Sequence, residues 1–267
     1  MNKEVIKSPL QYSGNKNNLI IQIKQNLPSD FNSFIDVMGG AFNVGANIES
    51  DLVVYNEYNT YVYDIVKGLI ECDKRKLINY IDDKINEFDL KINDKESYDR
   101  FRKHYNENKC WKKLLILNMY SFQNIIRFNN KNYFNASCGK SFFKDEIKEN
   151  IIKFKYNSKK IDFRNGKFQD EIFDYKNPLF YFDPPYLITN ANYNEKRLFE
   201  GWSKNIENEM YNYIDVLNKK NNKFMLSNVF EHKGKKNETL KKWVNKNNFN
   251  VVELVHNRRK EVLIKNF

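Results

Sequence analysis

Six short apolar runs punctuate this chain: Phe34 to Val37, Leu52 to Tyr55, Leu179 to Phe182, Phe224 to Leu226, Val251 to Val255 and Glu261 to Ile264. Runs of this length, rich in β-branched and aromatic residues, read as buried strands. Between them lie segments with apolar residues at helical spacing. Asn17 to Gln25 carries Leu19, Ile20 and Ile23, and Tyr58 to Ile70, Ile206 to Leu217 and Thr239 to Val244 follow the same pattern. Strands that alternate with helices predict an α/β sheet covered on both faces.

The alternation stops once. From about Glu71 to Asn157 the chain offers Ile78 to Phe88, Tyr98 to Asn108 and Trp111 to Phe122 as helices dense in Lys, Asp and Glu. They are followed by FQNIIRFNNKNYFNASCGK, which is polar, aromatic and turn-rich. A chain of 267 residues suffices for one large core, or for one domain carrying a smaller inserted one. The shift in composition predicts the second arrangement: residues 1–70 and 158–267 form one domain, and 71–157 are inserted into it.

Charge and cysteine usage narrow the setting. Lys and Arg number 45 and Asp and Glu 34, a formal net charge of +11. That surplus fits a polyanionic partner. It equally fits an AT-rich coding sequence, which fills a chain with Lys, Asn, Ile, Tyr and Phe. Cys72, Cys110 and Cys138 are far apart, and so are His104, His232 and His256. Neither a disulfide framework nor a structural metal site is expected from that scatter. MNKEVIKSPL lacks the apolar core of a signal peptide. No apolar run nears the ~20 residues of a membrane helix. The expected setting is intracellular and soluble, without a membrane partner.

Two segments carry chemistry. FIDVMGGAFNVG, Phe34 to Gly45, reads as a strand, a glycine turn and a helix start. Its glycines let a ligand approach the backbone, and Asp36 at the strand end suits an ammonium group. The second strand ends in Glu57, an acid placed to accept hydrogen bonds from ribose hydroxyls. Such a turn also occurs in sites without a ligand. LFYFDPPYL, Leu179 to Leu187, runs a buried strand into Asp183, Pro184, Pro185 and Tyr186. The prolines fix the backbone and bring no N–H. A carboxylate and a neighbouring carbonyl held this way can accept both hydrogens of an exocyclic amine on a base, freeing the nitrogen lone pair. A ring at Tyr186 can stack on a base taken out of its helix. A strand stopping at a Pro-Pro turn, with Asp183 solvated, reads the same residues as well.

Taken together and in this order, the motifs resemble the Dam-like, alpha-class N6-adenine DNA methyltransferases of the D12 type. Pro9 to Lys16, PLQYSGNK, matches the PLxYxGxK motif of that family. FIDVMGGAFNVG resembles its S-adenosylmethionine loop, YFDPPY its catalytic segment, and FMLSNV and EVLIKNF its closing strands. The resemblance covers nearly the whole chain. It implies a Rossmann-like S-adenosylmethionine-dependent fold whose inserted helical domain recognises the target and bears a β-hairpin. It further implies transfer of methyl from S-adenosylmethionine to adenine in double-stranded DNA, with no metal, in the cytoplasm of a bacterial or phage-infected cell. A cognate restriction endonuclease acting separately is a possible partner.

Residue by residue, the resemblance implies that Tyr12 and Lys16 line the cofactor pocket, with Lys16 facing the methionine carboxylate. Asp36, Gly39 and Gly40 hold the methionine part and Glu57 the ribose. Asp162 and Phe163 meet the cofactor adenine. Asp183, Pro184, Pro185 and Tyr186 are catalytic. Where the family often has three consecutive glycines, two of the places hold Ala41 and Phe42. In the insert, Arg127, Asn129, Asn135 and Lys140 fall on the family's RxN…FN…G element, a hairpin that enters DNA and recognises GATC in Dam-like enzymes. Arg suits guanine, because its fork matches O6 and N7. A glycine before the Arg is absent here, and Ser137 replaces the usual proline. A DNA-binding relative without activity, or a methyltransferase for RNA or protein, are the other readings.

Overall fold

The computed structural model describes residues 4–170, 174–189, 201–256 and 259–267. β1 (Ser33–Asp36) forms the spine of a seven-stranded sheet, and all four of its residues are buried. On one side it pairs in parallel with β2 (Leu52–Asn56), and β2 pairs with β3 (Lys160–Arg164). On the other it pairs with β4 (Pro178–Phe182), and β4 with β5 (Lys223–Asn228). Two further strands, β8 (Asn250–His256) and β9 (Arg259–Lys265), form an antiparallel pair, with β9 laid against β5. The order is β3-β2-β1-β4-β5-β9-β8. A two-stranded ribbon of β6 (Glu231–His232) and β7 (Lys235–Lys236) follows β5.

The expectation of a sheet covered on both faces is borne out. Successive strand residues point to opposite faces. Phe34, Val53, Tyr55, Leu179, Tyr181 and Met225 therefore bury into one cluster, and Ile35, Val54, Phe180, Phe182, Phe224 and Leu226 into another. The second face is closed by α7 (Lys204–Lys219) and α8 (Glu238–Asn247), through Met210, Ile214, Leu240 and Trp243. Ser203 and Asn237 cap these helices by accepting from the N–H of Ile206 and Leu240, which satisfies donors left orphan at a helix start. The first face receives α1 (Ile20–Gln25) and α2 (Thr60–Glu71).

The segment between α2 and β3 holds α3 (Lys74–Phe88), α4 (Lys95–Glu107), α5 (Trp111–Tyr120) and α6 (Asp145–Lys153). α5 is buried from Lys113 to Tyr120 and lies against α2, where a Cβ on Gly68 would stand 2.4 Å from the Trp111 ring. Leu115, Ile116 and Phe101 belong to the same buried cluster as Phe34 and Tyr55. The stretch set apart by composition thus shares its apolar core with the sheet.

Three elements differ from expectation. β3 was not among the apolar runs, because it is a partly exposed edge strand and KIDFR carries charges on its open side. β8 was expected to be a buried strand, but it is the opposite edge of the sheet, with Val251 and Val255 exposed and Leu254 buried. The helix expected after the glycine turn is a 3-10 turn, Gly45–Asn47, and no α-helix N-terminus faces the site there.

Candidate active site

In a parallel sheet of this order, a crevice opens outside the strand ends where the order reverses. Here that point lies between β1 and β4. β1 ends in Asp36, which pairs across with Tyr55 and Tyr181. β2 runs into Glu57 and β4 into Asp183. The crevice is a cavity of about 1150 Å³. Tyr12, Lys16, Asp36, Gly39, Gly40 and Glu57 line it, and so do Asp183, Pro184, Pro185 and Tyr186. Ten residues expected at one site from separate parts of the sequence are therefore brought together.

The glycine turn is shaped by its neighbours. Gly39 N–H donates to the Asn56 carbonyl at 2.8 Å, and a Cβ on Gly39 would lie 2.5 Å from the Tyr55 ring. Gly40 has φ +49°, the left-handed region where a side chain costs energy. Its N–H donates to Glu57 Oε2 at 2.9 Å, while Asn59 N–H donates to Glu57 Oε1 at 2.7 Å. Glu57 thus fixes the turn as well as facing the cavity. Phe42 also has φ +62°, without glycine's freedom. A left-handed residue costs roughly 1–2 kcal/mol. Burying a Phe side chain returns about 1.5–3 kcal/mol, and Phe42 is fully buried, edge-on to Tyr55 at 4.9 Å. Ala41 and Phe42 therefore close the turn against the core in place of glycines.

Asp36 is 2% exposed, and its Oδ2 accepts from Gly45 N–H at 3.0 Å. Burial pushes its carboxyl up to about 8, with repulsion from Asp183 and Glu57 adding to that and the Gly45 bond opposing it. A buried carboxyl with this proton affinity suits a cationic ligand group, which would let it ionise.

Lys16 Nζ stands 2.7 Å from Asp183 Oδ1 and 3.6 Å from Glu261 Oε2, and donates to the Gly14 carbonyl at 3.1 Å. It also sits 5.0 Å from the centre of the Tyr186 ring. The Tyr186 hydroxyl is 2.5 Å from Glu261 Oε2 and 3.3 Å from Asp183 Oδ1. Burial raises the Asp183 carboxyl to about 6; Lys16 opposes the rise, Glu261 adds to it and Tyr186 opposes it. Burial, then Asp183 and Glu261, push the Tyr186 phenol well above its ordinary range, so it keeps its proton at neutral pH. Lys16, expected to face the methionine carboxylate, lies against the two protein carboxylates.

Asp162 and Phe163 are not among the residues lining the cavity. Asp162 Oδ2 accepts from Arg164 Nε at 3.0 Å and from the Tyr175 hydroxyl at 3.2 Å. The Phe163 ring packs edge-on to Tyr55 and Tyr63. Both residues lie within β3, short of the strand end, and the residues beyond that end, Gly166, Lys167 and Phe168, line the cavity. Sequence reasoning missed Phe168, Trp202 and Glu261, all of which line the cavity. Glu261 had a legible signal, a charge at the mouth of a buried run that mirrors Asp183.

The other expected residues stand outside the cavity lining. Residues 120–139 fold back as an irregular antiparallel hairpin, bridged at Ser121 with Cys138 and Phe128 with Phe134. Arg127 Nε donates to Asn135 Oδ1 at 2.9 Å and Nη2 to the Asn135 carbonyl at 2.7 Å. Asn129 Oδ1 accepts from the N–H groups of Lys131 and Tyr133, both at 3.0 Å, and so shapes the tip. Lys140 is exposed. In α5, just before the hairpin, Asn118 Nδ2 donates to the Gln11 carbonyl at 3.0 Å, and the next residue, Tyr12, lines the cavity.

Among the described residues, no group of three or more His, Cys, Asp or Glu is arranged to hold a metal ion, and no helix is long and apolar enough to cross a membrane. Comparison with known proteins adds the following. The family model described as D12 class N6 adenine-specific DNA methyltransferase matches residues 12–259. The chain is 38% identical over 275 residues to modification methylase LlaI of Lactococcus lactis subsp. lactis, covering 100% of this chain and 44% of that protein. It is 37% identical over 264 residues to modification methylase StsI of Streptococcus sanguinis, covering 96% and 40%. It is 35% identical over 258 residues to type II methyltransferase M.FokI of Planomicrobium okeanokoites, covering 94% and 40%. The chain spans less than half the length of these relatives.

Proposed function

The chain belongs to the D12 class N6 adenine-specific DNA methyltransferases, and from that premise we propose that it methylates N6 of an adenine extruded from duplex DNA, using S-adenosylmethionine. The observation that carries the reading is Asp183. A carboxylate with its side chain only 18% exposed stands at the strand-order reversal, in one cavity with Asp36, Glu57 and the open glycine turn. When bound, S-adenosylmethionine supplies the electrophilic methyl group. Asp36 would hold its ammonium and Glu57 its ribose, while Gly39 and Gly40 admit it to the backbone.

The chain's own part is to prepare the amine. Lys16 occupies one oxygen of Asp183. The other is available to accept a hydrogen of N6, and the Pro184 carbonyl accepts the second. Asp183 then stabilises positive charge as it develops on nitrogen, and Tyr186 stacks on the base. The relatives are modification methylases, so a separately acting endonuclease and a cytoplasmic setting complete the proposal. Reading adenine methylation base by base in DNA from cells expressing the protein tests it, and also tells GATC from any other site. No methylated adenine above background would overturn the reading.

The pH dependence follows from Asp183. Its folded value, about 6, is above the ordinary 3.8. The carboxylate is the form that accepts from N6, so the rate at saturating substrates is expected to fall about tenfold per pH unit below about 6. Stability moves the other way. The folded state binds this proton more tightly than the unfolded chain, so this group's contribution is full below 3.8 and lost as pH rises through about 6. A rate profile flat down to pH 5 would remove Asp183 from this role.

The insert and its hairpin, Arg127, Asn129, Asn135 and Lys140 included, are proposed to contact DNA. Because one edge of the Arg127 fork is taken by Asn135, Arg127→Ala is expected to loosen the hairpin. Methylation of the preferred site and of its single-base variants should fall together, roughly tenfold or more for charge-assisted bonds of this kind. Rates on the site and on each variant, for both proteins, check it. If the ratios between sites change instead, Arg127 reads a base directly.

A further inference from the structure

We propose that Glu261 is a positioning residue for methyl transfer: it takes the phenolic proton of Tyr186 and a share of the Lys16 ammonium, and so keeps Asp183 open as the acceptor for the target amine. The inference rests on the reaction proposed above. Glu261 comes to the site because of strand direction. β9 runs antiparallel to β5, so its first residues stand beside the carboxyl ends of the parallel strands, where the cavity opens. Val262, Leu263 and Ile264 behind it are buried and fix its place.

A phenol has one proton to give. The Tyr186 hydroxyl lies 2.5 Å from Glu261 Oε2, the range of a charge-assisted bond, and 3.3 Å from Asp183 Oδ1. The proton therefore goes to Glu261. Without that acceptor the hydroxyl would turn to Asp183 Oδ1, the one other acceptor it reaches among the described residues and the oxygen already bound by Lys16, and a second donor on that oxygen would draw charge from the carboxylate and weaken it as an acceptor for the amine. Lys16 is subject to the same competition. Its buried ammonium divides between Asp183 at 2.7 Å and Glu261 at 3.6 Å. With Glu261 neutral, Asp183 would be the one carboxylate left to it, beside the Gly14 carbonyl at 3.1 Å, and the stronger pairing would weaken that carboxylate as an acceptor.

The groups facing Asp183 come from several elements. They are Lys16 from the N-terminal loop, Tyr186 from its own loop, Asp36 from β1, Tyr181 from β4 and Glu261 from β9. Lys16 is the cation among them. Removing the Glu261 charge leaves Lys16 less opposed, so Asp183 should ionise at lower pH. A Glu261 that merely joined β9 to the neighbouring loops would affect thermal stability without moving this titration.

The test uses the full chain with Glu261→Gln and Glu261→Asp. For Glu261→Gln, kcat is expected to fall roughly tenfold or more while KM for S-adenosylmethionine stays within about twofold, the pattern of an interaction used in the transition state. The acid limb of the rate profile should move to lower pH. Glu261→Asp keeps the charge, so its limb should stay in place although kcat falls. In a Tyr186→Phe background, Glu261→Gln should cost clearly less than in the unaltered protein, because the two residues act through one bond. An unchanged kcat and limb overturns the proposal, and so does a rise in KM alone or an equal loss in both backgrounds. The Asp183 carboxyl titration, followed by carbon-13 NMR in the unaltered protein and each variant, needs no turnover. If the unaltered protein methylates no adenine, the reaction falls, and a lower Asp183 titration in Glu261→Gln still supports the geometric role. An unmoved titration overturns that role by itself.

Discussion

Asp183→Ala is expected to slow methyl transfer by at least ~10²-fold, the scale of losing one preorganised hydrogen-bonding group in a transition state, with S-adenosylmethionine still bound. The substitution removes the acceptor for N6 and nothing assigned to the cofactor. It also leaves Lys16 with Glu261 at 3.6 Å and the Gly14 carbonyl at 3.1 Å, so the ammonium is not stranded. Asp36 loses a repulsive neighbour and should ionise more easily, which favours a cationic ligand group. Single-turnover rates and calorimetry of cofactor binding, on both proteins, separate the two effects. Near-normal turnover in the variant would falsify the mechanism. Lost cofactor binding with lost turnover would place Asp183 in the cofactor site.

Glu57→Ala is expected to weaken S-adenosylmethionine binding for two reasons that add. One is the lost acceptor for ribose hydroxyls. The other is the release of Gly40 and Asn59, whose N–H groups both donate to this carboxylate. A hydrogen bond to a charged group contributes roughly 1.5–3 kcal/mol, which corresponds to about 10- to 10²-fold in Kd for a single one. Loss of the turn geometry should carry the effect to the upper end. Glu57→Gln should fall between, since an amide oxygen accepts one N–H while its own NH₂ opposes the other. Calorimetry of cofactor binding to the three proteins decides, and equal affinities would remove Glu57 from the site.

What the sequence by itself determined is local. Strand and helix alternation could be read because each apolar run is continuous, and the caps and turns that separate runs are made by neighbouring residues. Asp36, Glu57 and Asp183 stood out because each is a charge directly at the end of such a run. Parallel strands bring run ends to one edge of a sheet, so three local signals became one site. The family resemblance depended on the same short motifs in order.

The tertiary structure alone decided how those charges share protons and partners. Lys16, Asp183 and Glu261 are far apart in sequence, and they meet because β9 turns antiparallel beside β5. No local periodicity encodes that direction. The edge strand β3 escaped notice because half-exposed strands need no continuous apolar run, and with it the part of the cavity wall that follows its end, Gly166 to Phe168. The pairing of Arg127 with Asn135 was equally hidden: motif spacing implied a DNA-facing role for both residues, and only the fold shows that they also bond to each other. Composition separated residues 71–157 from the rest, yet burial joins them to the sheet, because apolar surface is removed from water wherever the chain can pack, regardless of the charges on the outward faces.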